Sequence, residues 1–209
     1  MKYLIFWKGN VMKRVSQPFI LLLAVLLLVC GAMTTGCALG DRSIALTYEP
    51  VTATPAAKAE KATIAKFDDL RSEKQIVGEV RNGYGMIMAH VLIKDQDAGA
   101  WVSNALCSEL QKDGCTVVTV TDAAQTRNGL GITGSIQELY TKMYMTYDCT
   151  VRVKITATRA GIPMLNKEYV GKGSGLAVLC TSQEYEAAVR QALQDVMKQA
   201  VPEILAANQ

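Results

Sequence analysis

One histidine, His90, is the chain's whole stock of imidazole, and no two of its six cysteines stand in a CxxC pair. Structural zinc sites draw on clustered Cys and His, so a zinc-finger reading is excluded and no metal or cofactor is expected. Long apolar runs are scarce as well. The clearest, residues 19–29, has eleven residues, whereas a helix that crosses a bilayer core needs about 20. Basic charge is missing from most of the chain. The formal net charge is +3, yet residues 1–36 hold Lys2, Lys8, Lys13 and Arg14 and no acid, leaving 18 basic against 19 acidic groups in the other 173 residues. A near-neutral body without a basic stripe argues against nucleic acid as a partner. What remains, 209 residues of which 50% are hydrophobic and 20% charged, suits one folded domain with accessory segments rather than a disordered chain.

The N-terminal segment has the layout of a cleaved export signal. Lys13-Arg14 precede the apolar run, and the small-residue stretch Gly31-Ala32-Met33-Thr34-Thr35-Gly36-Cys37 follows it. Met12-Lys13-Arg14 is itself a normal signal start, so translation is expected from Met12. The stretch ending in Gly36-Cys37 resembles the lipobox of bacterial lipoproteins. That resemblance implies cleavage between Gly36 and Cys37, a diacylglyceryl group on the Cys37 sulfur and an acylated new N-terminus. Thr34 departs from the usual Leu. The other reading is ordinary signal cleavage after Ala32, with Cys37 a nearby thiol. Two or more acyl chains hold a protein durably on a membrane where one does not. Ala38 follows the cysteine, and in the resembling Gram-negative lipoproteins Asp there tends to retain the protein at the inner membrane. The expected location is therefore the outer membrane, with the domain facing the periplasm. This divides the chain into residues 1–36 as signal peptide, 37–60 as a lipid-anchored tether and 61–209 as the domain.

Cys107, Cys115, Cys149 and Cys180 remain in the expected mature chain, and export permits disulfides. Cys149 falls on a core-facing strand position, where a small apolar thiol is the plain reading. Cys107 lies on the polar face of a helix with Ser103, Asn104 and Gln111. It reads either as an exposed thiol or as half of a disulfide, for which Cys115 is the nearest candidate.

Within the domain, Asp95 or Asp97 can cap a helix whose apolar residues Ala98, Trp101, Val102, Ala105, Leu106 and Leu110 recur at spacings of three and four, and Gly114 ends it. Residues 147–158 alternate strictly: Tyr147, Cys149, Val151, Val153, Ile155 and Ala157 on one side, Asp148, Thr150, Arg152, Lys154, Thr156 and Thr158 on the other. One face is buried and one is wet. Ala160-Gly161-Ile162-Pro163 turns the chain into a partner strand. A capping box, Thr181-Ser182-Gln183-Glu184, opens a final helix that buries Tyr185, Ala188, Val189, Ala192, Val196 and Ala200 and is interrupted by Pro202. Shorter strands are expected over 63–67, 115–120 and 131–140, and residues 43–48 can dock as an edge strand. No parallel βαβ repeat is visible, so the expected fold is a two-layer α+β domain, an antiparallel sheet with two amphipathic helices packed on one face.

Together the Cys37 lipobox, Ile44-Ala45-Leu46-Thr47-Tyr48-Glu49-Pro50, Phe67-Asp68-Asp69-Leu70-Arg71, Ile76-Val77-Gly78 with its following Gly-Tyr-Gly loop, the helix before Gly114, and the hairpin with its C-terminal helix resemble the YajG-like family of bacterial outer-membrane lipoproteins. The resemblance implies a location and a fold more than an activity. The shape also resembles the domain of transport-auxiliary lipoproteins that serve ABC-type lipid export.

Chemistry is thinly supplied. Asp68 and Asp69 could bind a cation or act as acid and base, but with Arg71 beside them they read as a turn cluster. His90 has no nucleophile motif nearby and reads as a packed histidine. Gly171-Lys172-Gly173-Ser174-Gly175 lacks the GxxxxGK[ST] spacing of a phosphate loop and reads as a flexible strand end. Tyr84, in the Asn82-Gly83-Tyr84-Gly85 turn, and the wet face carrying Arg152 and Lys154 are the candidate partner-binding residues. No catalytic residue is expected. The leading expectation is a non-enzymatic envelope lipoprotein, held in the membrane through Cys37, whose domain binds an envelope protein. The alternative is a module holding a lipid or cell-wall fragment in a pocket near Met88, Trp101 and Tyr185.

Overall fold

The computed structural model describes residues 40–51, 61–121, 129–177 and 181–207. Strict alternation builds its longest strands. In β8 (Thr146–Arg159) the six odd residues from Tyr147 to Ala157 are all buried, as the two-residue period requires. Long antiparallel ladders join β8 to β7 (Leu130–Met143) on one edge and to β9 (Ile162–Leu176) on the other. Ala160 and Gly161 both have positive φ, 48° and 83°, as the two-residue turn between β8 and β9 demands.

The other edge of β7 carries three strands in succession. β2 (Lys61–Ala65), β3 (Asp68–Asp69) and β4 (Ile76–Arg81) each pair with it in parallel, at residues 130–132, 135–136 and 141–143. β5 (Ile87–Ile93) pairs antiparallel with β4, β1 (Arg42–Ile44) parallel with β5, and β6 (Thr116–Val120) parallel with β2. The described residues thus form one nine-stranded mixed sheet, which corrects the expectation of an antiparallel one. Alternation reports which face is buried and nothing about strand direction. The long connections between these partners, most of which contain the helix Ala98–Lys112, are what let strands return parallel.

Both helices follow their sequence signals. In α1 (Ala98–Lys112) the Asp97 carboxylate accepts a 2.8 Å hydrogen bond from the Ala100 amide. Its end is closed by Gly114 at φ +89°, with the Cys115 amide donating 2.9 Å to the Leu110 carbonyl. In α2 (Ser182–Ala207) the capping box forms: the Thr181 amide donates to Glu184 at 2.8 Å and the Glu184 amide to the Thr181 hydroxyl at 3.3 Å. Pro202 does not interrupt this helix, which continues to Ala207. Proline removes a single donor, and flanking Val201 and Ile204 are fully buried, so packing holds the last turn. The two helices and the sheet share one apolar core that includes Phe67, Leu106, Ile136, Val153, Tyr185 and Val196.

Two glycines seat α2 on β9. A Cβ at Gly171 would lie 2.0 Å from the Ala192 carbonyl oxygen, and one at Gly173 would lie 2.0 Å from that of Ala188. The Gly171-Lys172-Gly173 segment is therefore a packed helix seat rather than a flexible strand end.

The N-terminal stretch expected as tether is also partly structured. Beyond β1, the Ala45 amide donates to Glu186 at 2.8 Å, Trp101 Nε1 to the Thr47 carbonyl at 3.2 Å, the Tyr48 hydroxyl to Glu109, and Gln194 Nε2 to the Glu49 carbonyl at 2.8 Å. Residues 41–51 are laced across both helices, so the folded unit begins near Gly40 and not at residue 61. Buried Ile44 and Leu46 account for this docking.

Candidate functional site

The acid cluster at the end of β3 is occupied by its own arginine. Arg71 is buried and forks onto Asp69, Nε to Oδ1 at 2.9 Å and Nη2 to Oδ2 at 2.7 Å, while Nη2 also reaches the Lys74 carbonyl at 2.7 Å and Nη1 that of Ile76 at 3.2 Å. A guanidinium so engaged fastens the loop between β3 and β4. An open, shallow cleft of about 470 Å³ lies beside it, lined by Lys66, Asp68, Asp69, Lys74, Gln96 and Asp97. Lys66 and Asp97 close on each other across it at 2.7 Å, and that contact, with the Ala100 amide, holds the Asp97 carboxyl below its usual range. Two of the cleft's carboxylates are joined in structural pairs, Asp97 with Lys66 and Asp69 with Arg71, and among the described residues no cluster of His, Cys, Asp and Glu could hold a metal ion.

His90 likewise has no reacting neighbour. Its backbone amide donates to Asp41 at 2.8 Å, and its buried Nδ1 has no hydrogen-bond partner among the described residues. Cys107 is a half-buried free thiol, so the link to Cys115 considered above is not made. Burial raises the Cys107 thiol and pushes Cys149 up to about 12. Neither is tuned as a nucleophile.

Four tyrosine hydroxyls donate to carboxylates: Tyr48 to Glu109, Tyr140 to Glu79 at 2.7 Å, Tyr147 to Glu184 at 2.9 Å, and Tyr169 to Glu203 at 2.9 Å. Burial and then the carboxylate push Tyr140 up to about 12 and raise Tyr48 and Tyr169 further. At Glu79 burial alone would raise the carboxyl, but Arg81 and Tyr140 outweigh it and the net direction is down. Three of these pairs tie a helix to the sheet or to the N-terminal stretch.

Of the residues expected to line a ligand pocket, Trp101 and Tyr185 are buried in the core and Met88 lies on β5. Tyr185 stacks edge-on against Tyr147 at 4.6 Å between ring centres and donates to the Glu79 carbonyl at 3.3 Å. A groove of about 370 Å³ does run past Trp101, but it is open and lined by Tyr48, Gln96, Asp97, Asn104 and Ser108. Among the described residues, Met88 and Tyr185 line neither the cleft beside β3 nor the groove past Trp101.

The candidate partner-binding residues separate into two places. Arg152 is held between Glu138 at 3.3 Å and Glu168 at 2.7 Å as the centre of a cross-strand ladder, with Lys154 exposed two residues along. Tyr84 stands 91% exposed at the β4–β5 turn, at one end of the sheet. There it has neighbours not singled out in sequence. The Tyr144 hydroxyl donates to the Gly83 carbonyl at 3.2 Å, bringing the β7–β8 turn against the β4–β5 turn. The Ala177 amide donates to the Met145 carbonyl at 3.1 Å, bringing in the end of β9. Tyr144, Met145 and Leu176 are exposed, the last two by 74% and 75%. The signal available in sequence was the Tyr144-Met145 pair, two large apolar residues in a turn between strands.

No family model matches the chain, and no curated protein matches it in sequence. Solved structures do. A protein from Xanthomonas campestris described by the DUF330 family model matches at TM-score 0.58 with 15% identity, over 80% of this chain and 96% of that one. A hypothetical protein from Chlamydia trachomatis matches at TM-score 0.50 with 10% identity, over 72% and 98%. The chain shares their fold. At TM-score 0.35 and 11% identity, a lipoprotein from Neisseria meningitidis matches over 56% of this chain and 84% of that one.

Proposed function

We propose that the chain is a non-enzymatic lipoprotein of the bacterial outer membrane, held by lipid on Cys37, whose periplasmic domain serves as an interaction or assembly module. The observation that carries this reading is the state of the interior. The space between sheet and helices is filled by the buried side chains of one core, and in the polar cleft beside β3 Lys66 is paired with Asp97 and Asp69 with Arg71. Such a domain acts through its surface. The Gly36-Cys37 cleavage site, Ala38 and the segments that resemble YajG-like lipoproteins support the location. Cys37, Gly36 and Met12 themselves lie outside the described residues.

The wet face of β8 and β9 supports the partner side of the reading. It is long, it alternates charge around Arg152, and it leaves Lys154 exposed. Cross-linking the anchored protein in outer membranes, followed by mass spectrometry of proteins and lipids, tests the proposal. A reproducible envelope protein linked near Lys154 is the expected result. A hydrolytic activity abolished by Asp68→Asn or His90→Ala would contradict it.

A further inference from the structure

The ten exposed large apolar side chains among the described residues are not spread evenly. Six of them, Tyr84, Met86, Ile87, Tyr144, Met145 and Leu176, lie at one end of the sheet. The pairing shows why they meet. Arg81 is paired with Ile87 across the β4–β5 turn, Val80 with Met143 just before the β7–β8 turn, and Thr146 with Leu176 at the end of β9. Neighbouring strands lie about 4.8 Å apart, so these strand ends form a continuous fringe. Large apolar groups concentrated on one margin of a soluble domain mark a contact surface.

The chain enters the domain at this same end. β1 runs parallel to β5 with Arg42 opposite Val91, so Gly40 and Asp41 lie toward the β5 residues nearest the turn. The Asp41 carboxylate holds them there by accepting from the His90 amide at 2.8 Å. Cys37 is three residues before Gly40, and three residues span at most about 10 Å. A lipid on Cys37 therefore cannot be far from the apolar fringe.

We infer that this end of the sheet faces the bilayer, with the six apolar side chains seated on the lipid surface beside the anchor. The inference rests on the lipid-anchor reading above. Tyrosine suits the membrane interface because its ring is apolar and its hydroxyl stays wet. The acyl chains supply the affinity, and the fringe sets the orientation, standing the sheet with its strand ends on the membrane and the β8–β9 face turned to the side for a partner.

Tryptophan fluorescence tests this on the full lipidated protein, reconstituted in phosphatidylethanolamine and phosphatidylglycerol vesicles with or without dibrominated acyl chains, whose bromines quench tryptophan at close range. Once the leader carrying Trp7 is removed, buried Trp101 is the only native tryptophan. Tyr84→Trp then reports the fringe, and Ile162→Trp, exposed at the β8–β9 turn, reports the opposite end. The expected result is loss of emission from Tyr84→Trp in brominated vesicles, none from Ile162→Trp, and a smaller loss when Met145→Ser and Leu176→Ser are added to Tyr84→Trp. If mass analysis shows lipid on Cys37 while Tyr84→Trp is unquenched, the membrane contact is overturned and the anchor stands. An unlipidated Cys37 overturns both. Cross-links from position 84 to a second copy or to another protein, without quenching, would assign the fringe to protein and overturn the inference.

Discussion

Arg71 contributes through position rather than reactivity. Its guanidinium is buried and spends its donors on one carboxylate and on loop carbonyls. Removing one partner of such a buried pair strands the other, so Arg71→Ala should cost about 3–5 kcal/mol of stability in denaturant unfolding. A loss within 0.5 kcal/mol, the ordinary range for surface changes, would contradict that role. Glu79 makes a claim about pH. Its folded pKa is lowered, so the stability it contributes is present above the ordinary glutamate value of about 4.3 and fades as pH falls through the lowered one. Glu79→Gln should therefore be less stable than the native chain near neutrality, and the gap should shrink in acid. A gap that widens in acid would show the sign to be wrong. The thiols separate by burial: in the native protein an alkylating agent should reach Cys107 and leave Cys149 untouched until unfolding, and equal labelling would refute the arrangement.

At the scale of elements, α2 sits so close to β9 that side chains have no room at Gly171 and Gly173. Gly171→Ala forces the helix outward and should cost about 1–3 kcal/mol, as overpacking generally does. Unchanged unfolding would mean that α2 is not seated there. Much of this level was legible in sequence. The period-two run in β8, the spacing-three-and-four apolar residues of α1, the Asp97 and Thr181 caps and the Gly114 terminator each act locally, so a local pattern reveals them. Strand direction was not legible, because the burial pattern of a short strand such as β2 is the same whether it meets β7 parallel or antiparallel. The glycines of β9 read as looseness because the helix that needs them begins beyond them in the chain. Pro202 read as a break because the sequence does not show how firmly packing holds the turn around it.

The whole molecule brings together what lies apart in the chain. Tyr84 was legible as an exposed aromatic in a glycine-rich turn. Tyr144, Met145 and Leu176 join it only because β4, β7, β8 and β9 end side by side. Arg152, the other candidate for partner binding, lies well along β8 in the middle of an ion-pair ladder. The resulting picture is a domain with a filled core, an apolar fringe at the end where the chain enters, and a polar sheet face away from it. The membrane seat proposed for that fringe turns on Cys37. If the proposed lipid is there, Cys37→Ser should move the protein from the membrane fraction to the soluble one. The most direct measurement is the intact mass of the N-terminal peptide from protein extracted from membranes. A chain that begins at Cys37 and carries three acyl groups is the predicted result. A chain that begins after Ala32 with Cys37 unmodified would contradict the account.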